Sequence, residues 1–139
     1  MSDATRVSRT VDTDLAPDEL WDLVTDGAGW SSWMVDDADV TVEPGADGTV
    51  VDDGVARTVH IDRRDDGASD AATGRRVGFT WWPQDRPDLV SAVELVVLPA
   101  TSGSRLRVTE TFASATAASP MAWDVRFLLL AVRAPALLV

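Results

Sequence analysis

Residues 105–134 read RLRVTETFASATAASPMAWDVRFLLLAVRA, and the change of rhythm inside this stretch decides the fold. From Arg105 to Phe112 apolar and polar residues alternate, with Leu106, Val108, Glu110 and Phe112 on one face, the period of a half-buried strand. After Ser119-Pro120 the period lengthens. Trp123, Phe127, Leu130 and Ala134 fall at i, i+4, i+7 and i+11, one stripe of an amphipathic helix. Ser119 supplies an N-cap and Pro120 a first-turn residue. Pro135 ends or kinks this helix, because it removes an amide donor and crowds the preceding turn.

Upstream, the same alternation recurs in short pieces. Thr5 to Asp12 is a strand with Val7, Arg9 and Val11 on one face. Ala16-Pro17-Asp18-Glu19 opens a helix with proline at its first position and acids in its first turn. Leu20, Leu23 and Val24 form its stripe, Trp21 flanks it, and Gly27 and Gly29 break it before a second short helical turn over Trp30–Met34. Strands are then predicted over Asp39–Glu43, Thr49–Asp52, Val55–Arg64, Arg76–Trp82 and Leu89–Leu98, with Asp53-Gly54 as a hairpin signal. Asp65 to Gly74 is a small, polar loop. The expected architecture is α+β: a curved antiparallel sheet of about six to seven strands, two short helices after the first strand, and a long C-terminal helix covering one sheet face. With no internal repeat or linker, residues 1–139 read as one domain with its core at roughly 5–134.

Composition narrows the function classes. There is no cysteine, so disulfides, thiolate metal sites and cysteine nucleophiles are excluded. The chain carries 19 Asp and 4 Glu against 12 Arg, no Lys, and a net charge of −11, a surface that repels a phosphate backbone and argues against nucleic-acid binding. Residues 1–88 hold 20 of the acids and residues 89–139 only 3, which places the acidity on the surface of the first part. The opening residues Met1–Thr10 lack an apolar run and the longest one, Phe127–Val132, is far too short for a membrane span, so the expected location is the cytoplasm.

Strand parity puts three charged side chains on apolar faces: Arg9, Arg57 and Glu110. A buried ion costs several kcal/mol unless paired and hydrogen-bonded. Two readings stay open. They are a polar patch in a cavity, with the arginines holding a ligand carboxylate or carbonyl and Glu110 as acceptor or general base, or an Arg9–Glu110 structural pair with Arg57 reaching the rim. His60, the only histidine, falls opposite the Val59/Ile61 face, with Thr58 and Asp62, toward solvent. The acidic runs Asp36-Asp37-Ala38-Asp39 and Asp62–Asp70 lack the spacing of a calcium loop, and no metal or cofactor is expected. Phosphate-cradling glycine loops and nucleophile elbows are absent; Gly103-Ser104 sits in a hairpin turn.

The order of these pieces resembles the START/SRPBCC superfamily, the helix-grip fold, and within it the branch named after the C-terminal domain of the Hsp-90 ATPase activator. The resemblance rests on Val7-Ser8-Arg9-Thr10-Val11 before Ala16-Pro17 and Glu19-Leu20-Trp21, on Thr25-Asp26 and Trp33, on Val77-Gly78-Phe79-Thr80-Trp81, and on Val93-Glu94-Leu95, Gly103–Leu106, Val108–Thr111 and Trp123. It covers roughly residues 5–134. It implies a small hydrophobic or amphipathic ligand held between sheet and terminal helix, with Trp33, Phe79, Trp81, Phe112, Trp123 and Phe127 as walls and Arg9, Arg57 and Glu110 as anchors. Ordinary core filling also accounts for the tryptophans. Two alternatives come with the family: a cochaperone-like domain whose partner is a chaperone ATPase, and a polyketide cyclase or dehydratase, for which Glu110 is the catalytic candidate. The chain has no tyrosine, so schemes that rely on a phenol lose that group.

Overall fold

The structure, a computed structural model, describes residues 5–67 and 74–112. Seven strands form one antiparallel sheet: β1 (Thr5–Thr13), β2 (Asp37–Asp39), β3 (Asp47–Asp52), β4 (Val55–Asp65), β5 (Arg75–Pro83), β6 (Ser91–Ala100) and β7 (Gly103–Phe112). Their spatial order is β1-β7-β6-β5-β4-β3-β2. Every neighbour is therefore a sequence neighbour except at one edge, where β1 pairs along its whole length with β7. The C-terminal helix expected from the sequence, with Trp123 and Phe127, lies outside the described residues, as does most of the expected 65–74 loop.

Alternation gives the sheet two chemically different faces. In β7, Ser104, Leu106, Val108, Glu110 and Phe112 are buried while Arg105 and Arg107 are exposed. The registers align those buried residues with Val7 of β1 and with Ser91, Val93, Leu95 and Val97 of β6. They in turn face Val77, Phe79 and Trp81 of β5, which meet Val59 and Ile61 of β4. This inner face is the floor of one apolar cluster. The β3–β4 hairpin turns at Asp53 and Gly54, whose φ angles of 53° and 77° are the left-handed pair that a two-residue hairpin demands.

Between β1 and β2 the chain forms α1 (Pro17–Thr25) and a 3-10 helix over Ala28–Ser32. Pro17 starts α1, and the Glu19 carboxylate accepts a bond from the Ala16 amide at 3.0 Å, one half of a capping box. Leu20, Trp21 and Val24 are buried, so α1 lays its stripe over β5, β6 and β7. Ser104 ties the crossing together, its hydroxyl donating to the Leu15 carbonyl at 2.6 Å. The 3-10 helix packs on β2 and inserts Trp30, whose indole nitrogen donates to the Val24 carbonyl at 2.9 Å. No helix among the described residues is long and apolar enough to cross a membrane.

Two local expectations are corrected. The strand expected over Asp39–Glu43 is instead Asp37–Asp39, and Val40 and Val42 are buried in irregular chain after it. Their hydrophobicity served the core rather than a ladder. The strand expected over Val55–Arg64 is interrupted by a bulge between Ile61 and Arg63, which an alternating pattern does not reveal. The bulge resets parity, so Arg64 aligns with buried Val77 and its guanidinium carbon lies 5.9 Å from the Trp21 ring.

The 3-10 helix sits so close to the chain after β2 that a Cβ on Gly27 would stand 1.9 Å from the Val40 carbonyl oxygen. Gly27→Ala is expected to lower stability by about 1–3 kcal/mol through overpacking, read from the urea midpoint at unchanged m-value.

Candidate functional site

Four strands turn one distinctive side chain each toward the same region of the inner face: Arg57 from β4, Trp81 from β5, Ser91 from β6 and Glu110 from β7. Register explains their meeting. Trp81 lies opposite Ser91 on one side and Val59 on the other, Glu110 lies opposite Val93, and Arg57 lies one inward step from Val59.

The centre is a buried carboxyl group. Glu110 is 4% exposed, Ser91 3% and Trp81 1%. The Trp81 indole N–H donates to Glu110 Oε2 at 2.9 Å and to Ser91 Oγ at 3.0 Å, and the Ser91 hydroxyl donates to the same Oε2 at 2.5 Å. Burying an acid on an apolar wall is costly, and two converging donors offset part of that cost. Across the flat of the indole, the Arg57 guanidinium carbon stands 5.1 Å from the Trp81 ring centroid. Such a cation–π contact contributes about 0.5–2 kcal/mol, more as water is excluded. Arg57 Nε in turn lies 3.6 Å from Asp52 Oδ2, with both side chains mostly buried. Acid, cation, indole and acid thus run in sequence along an otherwise apolar floor.

Of the residues expected at the site, Arg57, Phe79, Trp81 and Glu110 come together. Phe79 is wedged between Trp30, at 5.0 Å between ring centroids, and the edge of Trp81, at 5.2 Å. Phe112 is buried opposite Ser91. Trp33 is buried directly after the 3-10 helix. Arg9 shares the inner face, but the register sets it opposite Val108 and sets Glu110 opposite Val7. Its Nη1 donates to the Ser8 carbonyl at 2.9 Å, and the described donors to Glu110 are Ser91 and Trp81. The register thus makes Arg9 a diagonal rather than a directly opposite neighbour of Glu110, whose described donors are a hydroxyl and an indole.

Sequence reasoning missed Ser91 and Asp52. Ser91 has the same parity as Val93, Leu95 and Val97, and this was the available signal. Asp52 adjoins the Asp53-Gly54 turn and reads as turn polarity. Nothing local shows that the hairpin brings it to Arg57.

His60 stands apart, partly exposed, with Nδ1 2.6 Å from Asp47 Oδ1. That hydrogen bond, with attraction from Asp47 and Asp62, raises its pKa above the ordinary 6.5. Among the described residues no group of three or more histidines and acids is arranged to hold a metal. The outer sheet face carries an open depression of about 410 Å³, lined by Arg6, Arg63, Gly78, Glu94 and Thr109 among others. It is separated by the sheet from the Glu110 cluster.

No protein-family model matches the chain, and no curated protein matches it in sequence. Solved structures match its fold. Protein MLL2253 from Mesorhizobium loti superposes with a TM-score of 0.73 at 18% identity, over 91% of this chain and 93% of that one. CalU16 from Micromonospora echinospora gives 0.65 at 19% identity, over 91% and 73%. DynU16, a protein of the dynemicin biosynthetic locus, gives 0.68 at 17% identity; 95% of this chain corresponds to 47% of DynU16. At these identities the shared property is the fold.

Ser91→Ala removes a donor to the buried Glu110 oxygen and an acceptor for Trp81. It is expected to cost about 1–2 kcal/mol in denaturant unfolding, whereas Ser8→Ala on the exposed face is expected to cost about 0.5 kcal/mol or less. The His60–Asp47 bond has a defined sign. Since the folded-state pKa is raised, its contribution to stability is complete below 6.5 and fades as pH rises through the folded value. In an NMR titration, Asp47→Asn should bring the His60 pKa down toward 6.5.

Proposed function

We propose that this chain is a helix-grip protein of the START/SRPBCC type that binds a small hydrophobic or amphipathic molecule against the inner face of its sheet. The observation that carries this reading is the polar strip of Asp52, Arg57, Trp81, Ser91 and Glu110 on a wall whose other members are apolar and aromatic. A fold needs no buried acid to close a hydrophobic core, and an apolar replacement of similar volume is often more stable. Concave apolar surfaces with a few convergent polar groups are what small-molecule sites are made of. Arg57 and Glu110 would orient the ligand's polar end, with Phe79, Trp81, Phe112 and Trp33 as walls. Trp123 and Phe127, on the terminal helix expected from the sequence, would close the other side, and Arg9 would supply a second cation near the β1 edge.

A catalytic reading has one specific support, the fold likeness to DynU16 of the dynemicin biosynthetic locus. In that reading Glu110 is the acid or base, its position fixed by Ser91 and Trp81.

Native mass spectrometry of the purified protein, followed by thermal shifts against fatty acids, aromatic polyketides and lipids, tests the proposal. A copurified molecule or a saturable rise in melting temperature is expected. Glu110→Gln should weaken the binding of that ligand by about tenfold, the value of one lost charge-assisted hydrogen bond. Affinity and turnover both unchanged in Glu110→Gln would remove this residue from the site. An absence of adduct and of any shift across the panel would overturn the pocket itself.

A further inference from the structure

Among the described residues, two buried side-chain nitrogens have no hydrogen-bond partner: Trp33 Nε1 and Arg57 Nε. Both are donors. The exception is informative because two other buried indoles are bonded: Trp30 donates to the Val24 carbonyl and Trp81 to Ser91 and Glu110. More than about nine-tenths of buried polar groups in proteins are bonded, so a bare buried N–H calls for a physical reason. Arg57 does have an ionic neighbour, but Asp52 Oδ2 at 3.6 Å from Nε is beyond hydrogen-bond length.

The two donors sit toward the same side of the inner face. Arg57 lies opposite Val50 of β3, and Val50 lies opposite Ala38 of β2. Trp33 directly follows the 3-10 helix that packs on β2. From sequence Trp33 was expected as a wall of the ligand site and Arg57 as one of its polar anchors, and Trp33 Nε1 and Arg57 Nε lack the same thing, an acceptor. The charges around Arg57 set the kind of acceptor. Arg57 already faces Asp52, and the indole beneath it is bonded to Glu110, so two acidic groups flank one cation. A carboxylate brought to this place would meet like charge, whereas an uncharged carbonyl oxygen would not.

We infer that the ligand is a hydrophobic molecule bearing uncharged carbonyl oxygens, which accept hydrogen bonds from Arg57 Nε and Trp33 Nε1, rather than a plain hydrocarbon chain or an acid. This inference rests on the ligand-binding reading above and gives it a chemical class. Hydrocarbon in the same space leaves both donors desolvated and unbonded, so the site discriminates against it.

Acetylnaphthalene, ethylnaphthalene and naphthoate match closely in shape and differ in the feature at issue. Their binding is measured by calorimetry on the full chain. Acetylnaphthalene is expected to bind about tenfold more tightly than ethylnaphthalene, and more tightly than naphthoate. Arg57→Lys keeps a cation beside Asp52 while removing Nε, and Trp33→Phe removes the indole N–H. Each should bring the ketone-to-hydrocarbon affinity ratio from about tenfold down toward one, the ratio being read within each variant so that a general loss of affinity cancels. If Trp33→Phe fails to fold, Arg57→Lys alone decides. Equal affinity for ketone and hydrocarbon, a preference for naphthoate, or a ratio unmoved by the substitutions overturns the inference and leaves the pocket standing. Failure of all three probes to bind overturns this inference, and an absence of any shift across the panel above overturns the pocket reading with it.

Discussion

A buried carboxyl group needs donors, and the arrangement at Glu110 shows how an antiparallel sheet provides them. Each of three adjacent strands contributes one member of the cluster, Trp81, Ser91 and Glu110, and each must hold its register for the donors to converge on one oxygen. A one-residue slip in β6 would carry Ser91 to the outer face and take Val93 and Leu95 with it. The polar cluster and the apolar rows beside it therefore enforce the same alignment. Arg57 extends this dependence to a fourth strand through its stack on Trp81, and Asp52 to a fifth.

Much of this was legible in the residues, and the failures have identifiable causes. Alternation in 5–12, 55–61, 76–82 and 105–112 fixed which side chains face inward, Glu110 and Arg57 included, because parity along a regular strand is unambiguous. What alternation cannot give is the partner across a strand gap. Arg9 and Glu110 share a face, yet the register sets them diagonally rather than opposite each other, and Glu110 takes donors from β5 and β6. The bulge after Ile61 left no local mark except Gly78 on the partner strand, where a Cβ would stand 2.8 Å from the Arg63 side chain. Position Val40 misled because a buried irregular segment and a buried strand have the same hydrophobicity.

The fold itself tolerates wide variation in sequence. Structures 12–19% identical to this chain keep its architecture over nine-tenths or more of its length. What must persist is a two-faced sheet with its first and last strands paired, and many sequences satisfy that pattern. The identity of the few polar residues on the inner face is then free to differ between proteins sharing the scaffold, and function has to be argued from those residues.

The strand at the far edge of the sheet has a consequence for how the molecules behave in a crowded solution. An open sheet ends in unpaired backbone donors and acceptors, which invite a strand from a neighbouring chain and so seed aggregation. Here that edge is β2, three residues long and reading Asp-Ala-Asp. Brevity leaves few bonds to offer, and two acids repel an identical edge approaching from another copy. The aspartates thus oppose self-pairing at this edge, one of the two at which the described sheet ends, the other being β1.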